Sequence, residues 1–294
     1  MDEPYLAAIR GKARDFKWLF HRVSVLSSRA KRGSGGPYIE IYEDRIEAFD
    51  IRSSPEQSYC TFTKSYFDGI SLQDDERVTA FVNWVDVLNA LEKFDGDDFV
   101  EFRFLDDVNA TEGTTHPPRA SILQVRNVLT HRILCPTRGT EDEQSDQLRQ
   151  RFSEDDVLLT ENDSTPAPVH ISIPADQMEW FTSIIDGDED SIVYPLVVRD
   201  EKIEFTFFPE NDPDTENWVH GKLSTHSADG PDIKHHYPKY IGPVFQMLNG
   251  DVDLYTDPEE GTLAVVNKAK MGSTLRYVLP SVDIDIDDSP LKWG

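Results

Sequence analysis

Eight cations crowd near the start of the chain: Arg10, Lys12, Arg14, Lys17, Arg22, Arg29, Lys31 and Arg32, with Asp15 as the single acid among them. Lysine and arginine at this density can bind phosphate, because they displace counterions from a nucleic-acid backbone without reading its sequence. The cluster stands out because the 294 residues include 55 acids and 29 bases, a formal net charge of -26. Such a surface keeps polyanions away except where positive charge is concentrated.

The remaining reactive residue types do not assemble into chemistry. Asp251 with Asp253, and Asp283 with Asp285, are spaced to share a strand face, which is ordinary in so acidic a chain. No Ser/His/Asp or Cys/His arrangement supplies a nucleophile with its base, so no catalytic residue and no enzyme is expected. His220 with His226, and His235 with His236, lack a cysteine or carboxylate at ligand spacing, so neither metal nor cofactor is expected. The RGSGG stretch has no G-K-[ST] ending and is not a phosphate loop. Cys60 and Cys135 have no C-x-x-C spacing and read as reduced, structural thiols. No run approaches the roughly 20 apolar residues of a membrane span, and the first residues lack a secretion signal. A cytoplasmic protein with no membrane partner is expected.

These residues need elements to position them. At about 100° per residue, a helix over 13–30 gathers Phe16, Leu19, Phe20, Val23 and Leu26 on one side. Arg14, Lys17, His21, Ser24 and Ser28 fall opposite, with Arg22 at the flank. YIEIYEDRIEAFDI alternates around Glu43-Asp44 and predicts a hairpin, followed by the strand SYCTFTKSYF. VTAFVNWVDVLNALEKF predicts a strand leading into a helix with Val85, Leu88 and Leu91 inward. DDFVEFRFL and ASILQVRNVL are strands. Residues 136–168 are polar, charged and bounded by prolines, a linker with Val157, Leu158 and Leu159 as a strand-like anchor.

The second half repeats this grammar. It runs from the strand VHISIP through a helix ADQMEWFTSIID and strands SIVYPLVV, KIEFTFF and NWVHGKLSTH. A helix YPKYIGPVFQML then precedes three closing strands. The order implies an internal duplication. The expected organisation is an N-terminal domain over 1–135, a linker over 136–168, a C-terminal domain over 169–283 and an acidic tail over 284–294. Acidic runs at 95–98, 141–143, 186–190 and 283–288 are dispersed like the solvated surfaces of proteins from extreme halophiles.

Four stretches resemble the DNA sliding clamps of the proliferating cell nuclear antigen family. These are EDRIEAFD with Ala48 and Asp50 in place, VTAFVNWVDVLNALEKFDGDDFVEF, YPKYIGPVFQMLNGDVDLYTD and the closing MGSTLRYVLPSV. The resemblance implies an α+β fold of two similar clamp domains, each with two helices packed on antiparallel sheet, that forms a ring, usually of three copies. It implies a processivity factor that encircles duplex DNA and is placed there by a clamp loader. Arg14, Lys17, His21, Arg22, Lys93, Lys234 and Lys239 would then face DNA. DNA polymerase and other replication and repair proteins would dock a hydrophobic peptide at Phe49, Val157, Leu158, Leu279, Pro280 and Val282. Two departures stand against the family pattern: the helix at 174–186 carries Asp176 and Glu179 without a cation, and Pro243 falls within a predicted helix.

Overall fold

The computed structural model describes residues 4–26, 37–51, 56–73, 76–106, 118–135, 141–161, 164–185, 193–199, 202–207, 219–225, 227–231, 233–238 and 241–281. Arg29, Lys31, Arg32, Lys239, Val282 and the tail 284–294 lie outside them. Two compact units make up the chain: Met1–Arg149 with Ala269–Leu275, and Gln150–Lys268 with Arg276–Gly294.

The first unit contains strands β1 (Ala7–Lys12), β2 (Tyr38–Tyr42), β3 (Arg45–Asp50), β4 (Gln57–Thr63), β5 (Gly69–Leu72), β6 (Arg77–Phe81), β7 (Phe99–Leu105), β8 (Ile122–Arg126) and β9 (Thr130–Leu134). Its helices are α1 (Ala13–Val23), α2 (Trp84–Leu91) and α3 (Glu141–Gln150), the last ending at the unit boundary. The strands form two antiparallel arrays, β5-β1-β7-β8-β9 and β6-β2-β3-β4.

The second unit contains β10 (Val169–Ile173), β11 (Val193–Arg199), β12 (Lys202–Phe207), β13 (Val219–Ser224), β14 (Ser227–Asp229), β15 (Ile233–Pro238), β16 (Val252–Thr256), nearly all of β17 (Leu263–Ala269) and the second half of β18 (Ser273–Leu279), whose first residues are grouped with the first unit. Its helices are α4 (Ala175–Ile185) and α5 (Ile241–Gln246). The arrays run β14-β10-β16-β17-β18 and β15-β11-β12-β13. Each strand of the first unit thus has its counterpart nine strands later, with the same neighbours.

Helix α1 forms where the apolar stripe predicts it, but it is shorter. It ends at Val23, where the Ser24 N–H donates to the Phe20 carbonyl at 3.0 Å and the Ser24 hydroxyl caps the same oxygen. Ser24, expected to face outward, is therefore buried. Phe16 packs face to face on Phe102 of β7, their rings 4.0 Å apart. Aromatic pairs add stabilisation beyond the area they bury.

Four other expectations change. β1, β5, β9, β14 and β15 lie outside the predicted strands, being short segments without a clear alternation. In α2 the Asn83 side chain accepts the Val85 N–H at 3.0 Å and fixes where the helix begins. Val87, Ala90 and Leu91 consequently point inward, while Val85 is 43% exposed. The expected helix over 237–248 is confined to Ile241–Gln246, and Tyr237 and Pro238 close β15 instead. Pro243 is then a first-turn residue, where no intrahelical N–H is required. Finally, part of the linker is the helix α3, with Leu148 buried.

Candidate nucleic-acid interface

The chain passes from β1 into α1 without a break, so Lys12 and Arg14 flank the first turn of the helix. No side chain caps that turn. Its first amides are instead bound by the acidic turn at 95–98: Ala13 N–H donates to the Asp98 carbonyl at 2.9 Å and Arg14 N–H to the Gly96 carbonyl at 3.0 Å. The turn is closed on itself by the Asp95 N–H donating to Asp98 Oδ2 at 2.9 Å. Asp97 of the same turn meets Arg14 Nη1 at 2.8 Å and Lys12 Nζ at 3.3 Å. A carboxylate thus already sits between the two cations.

Arg14, Lys17 and His21 recur at helical spacing on the face opposite Phe16, Leu19, Phe20 and Val23, which are all buried. Lys17 Nζ donates to the Phe94 carbonyl at 3.3 Å, just beyond α2, tying the two packed helices together. The Arg22 guanidinium lies 4.0 Å from the Trp18 ring centre, a cation–π stack that orients it. His21 is exposed overall. Partial burial of its ring, and then the charges of Arg22 and Lys17, hold its pKa below the ordinary histidine value. It is neutral at pH 7 and adds no resting charge to this face.

Four of the expected DNA-facing residues, Arg14, Lys17, His21 and Arg22, thus come together on α1. Lys93 is exposed in the turn after α2 beside the exposed Glu92, and Asp86 is exposed in the first turn of that helix. Lys234 lies on β15 of the second unit and is described through its backbone. Sequence reasoning left out Lys12 and Asp97 as members of this site. The acidic DGDD run read as solvated surface, and nothing local reveals that it folds onto the start of α1.

Of the expected peptide-docking residues, Phe49 belongs to the first unit and is fully buried, stacked on Tyr59 at 4.7 Å with the Arg149 guanidinium 5.2 Å away. Leu158 and Leu279, in the second unit, are also buried, and Val157 and Pro280 are half-buried. The α3 helix that brings Arg149 is held mainly by polar contacts. Ser145 Oγ donates to Glu40 at 2.9 Å, Arg119 bonds Asp142 at 2.9 Å, and Arg149 bonds both Glu40 and Glu47.

The paired carboxylates noted in the sequence have structural work where they are described. Asp251 accepts the Ala175 N–H at 3.0 Å, at the first residue of α4, and Asp253 pairs with His170 at 3.0 Å. No group of three His, Cys, Asp or Glu that could hold a metal occurs among the described residues. No helix among them is long and apolar enough to cross a membrane.

Two units with one strand order, each carrying a pair of packed helices, define the sliding-clamp fold. Solved structures match it over nearly the whole chain. A. fulgidus PCNA, in its structure with the C-terminal region of FEN-1 bound, gives a TM-score of 0.64 at 11% identity, covering 95% of this chain and 100% of that one. PCNA from Entamoeba histolytica gives 0.63 at 11% identity, covering 95% and 100%. A putative DNA polymerase III beta subunit from Eubacterium rectale gives 0.67 at 11% identity, covering 97% of this chain and 67% of that one. No protein-family model matches the sequence, and no curated protein matches it. The likeness is one of fold.

Proposed function

We propose that the protein is a DNA sliding clamp, a non-enzymatic processivity factor that encircles duplex DNA and tethers replication and repair enzymes to it. The observation that carries this is the cationic face of α1, on a clamp fold, in a chain whose net charge is -26. Phosphate contacts hold DNA without reading it, as a sliding ring requires. Phosphate attraction weakens steeply with salt, whereas closure around the duplex does not depend on it.

Ring closure has a physical basis in the sheet edges. β9 and β13 end their arrays, and β9 carries Leu134, which is 78% exposed. An unpaired strand with an exposed apolar side chain is a template for another strand. Pairing of β9 in one copy with β13 in the next would repeat around a closed ring, which we take as a homotrimer set on DNA by a loader. Partner peptides with apolar anchors would dock at the surface over Phe49, Val157, Leu158, Leu279 and Pro280, where the buried members form the floor beneath an aromatic anchor.

Polymerase extension on primed circular DNA tests this reading, with light scattering in molar KCl to count subunits. Stimulation is expected, and it should vanish when the template is linearised. Arg14→Glu with Lys17→Glu should weaken loading or retention on DNA while leaving the fold intact. A monomer, or stimulation equal on both templates, would overturn the proposal. The carboxylates of α4 favour a second reading, a clamp-fold scaffold that binds proteins without sliding; a ring that recruits partners yet never protects a circle would support it.

A further inference from the structure

β10 and α4 repeat β1 and α1 without insertion or deletion. β10 begins 162 residues after β1 (Val169 against Ala7), and α4 begins 162 residues after α1 (Ala175 against Ala13). In this register two inward positions keep their character: Ile9 matches Ile171 and Phe16 matches Met178, all buried. Trp18 matches Trp180. The outward positions are inverted, for Arg14 becomes Asp176 and Lys17 becomes Glu179, both carboxylates exposed. The duplication has kept these apolar positions and the tryptophan while exchanging two cations for two anions, although Phe20 is matched by Thr182.

We propose that α4 is a repelling face, on which Asp176 and Glu179 hold the duplex off the second unit so that phosphates engage α1 alone. This rests on the clamp reading above. Each protomer then offers one attractive and one repulsive helix. The net pull on the duplex stays weak, and DNA contact is one-sided within each chain. Screening limits the repulsion to roughly 8 Å at physiological salt, so it acts only on backbone that approaches α4 closely.

The test is equilibrium binding of a fluorescent duplex oligonucleotide across a KCl titration. Four proteins are compared: wild type, Asp176→Lys/Glu179→Lys, Arg14→Glu/Lys17→Glu, and a control, Glu154→Lys/Glu259→Lys, with the same change in net charge at exposed positions off α4. The α4 variant is expected to bind at least about tenfold tighter near physiological salt. Its plot of log K against log salt should steepen by about 2, as two added phosphate contacts require. Equal tightening by the control would overturn the proposal, since net charge alone would then account for it. No tightening in the α4 variant, with binding lost in the α1 variant, would overturn the proposal and leave the clamp reading standing. Binding that ignores the α1 reversal would remove both.

Discussion

Replacing Arg149 by methionine probes how α3 is held to the first unit. The β2–β3 register sets Glu40 directly opposite Glu47, with side chains 0% and 4% exposed. Two facing carboxylates shut away from water repel unless a cation joins them. Arg149 Nη2 lies 2.9 Å from each, and its Nε donates to Glu47 at 3.1 Å. Burial works against the guanidinium's charge, but Glu40 and then Glu47 outweigh it and raise its pKa above the ordinary value. Stripping a buried charge of its partner costs about 3–5 kcal/mol. The loss here should be smaller, because Glu40 keeps Arg77 at 3.1 Å and Glu47 keeps Arg45 at 2.7 Å. Arg149→Met is therefore expected to destabilise the first unit by about 2–3 kcal/mol. For a unit of this size that lowers its melting temperature by roughly 5–10 °C, read by calorimetry. Limited proteolysis should cut faster within 141–150. Adding Glu47→Gln should restore part of the loss, since one of the facing charges is gone. A loss below about 0.5 kcal/mol, within the range of ordinary surface substitutions, would refute the idea that α3 is fastened by this cluster.

Asp97→Asn should free Arg14 and Lys12 for phosphate. The salt slope of DNA binding should steepen by about 1, with stability changed by less than about 1 kcal/mol because the pairs are exposed; an unaltered slope would refute the pairing as a brake on binding. For His21, the folded pKa lies below the ordinary value of about 6.5. The unfolded chain takes the proton first, so His21 destabilises the DNA-free fold as pH falls through and below about 6.5, and has no such effect above it. A nearby phosphate raises that pKa, so DNA binding should take up a proton and tighten between pH 7.5 and 5.5. His21→Gln should lose that component in anisotropy titrations at both pH values, and an identical pH profile in the variant would count against His21 facing DNA.

Periodicity written in consecutive residues was readable without a structure. The apolar stripe Phe16, Leu19, Phe20 and Val23 gives α1, and alternation through YIEIYEDRIEAFDI gives the β2–β3 hairpin, because such signals depend on near neighbours. The family-like stretches pointed to the clamp fold, and the concentration of cations marked the stretch that becomes α1. Packing decided the rest. EDEQSDQLRQ has one apolar residue and becomes α3 by pairing with Glu40 and Glu47, about a hundred positions earlier. Lys12 meets Asp97 across 85 positions of chain, and the acidic turn that looked like solvated surface caps α1. The sequence records which charges exist; only the folded backbone sets which of them lie within 4 Å, and electrostatic energy falls with distance in space rather than along the chain.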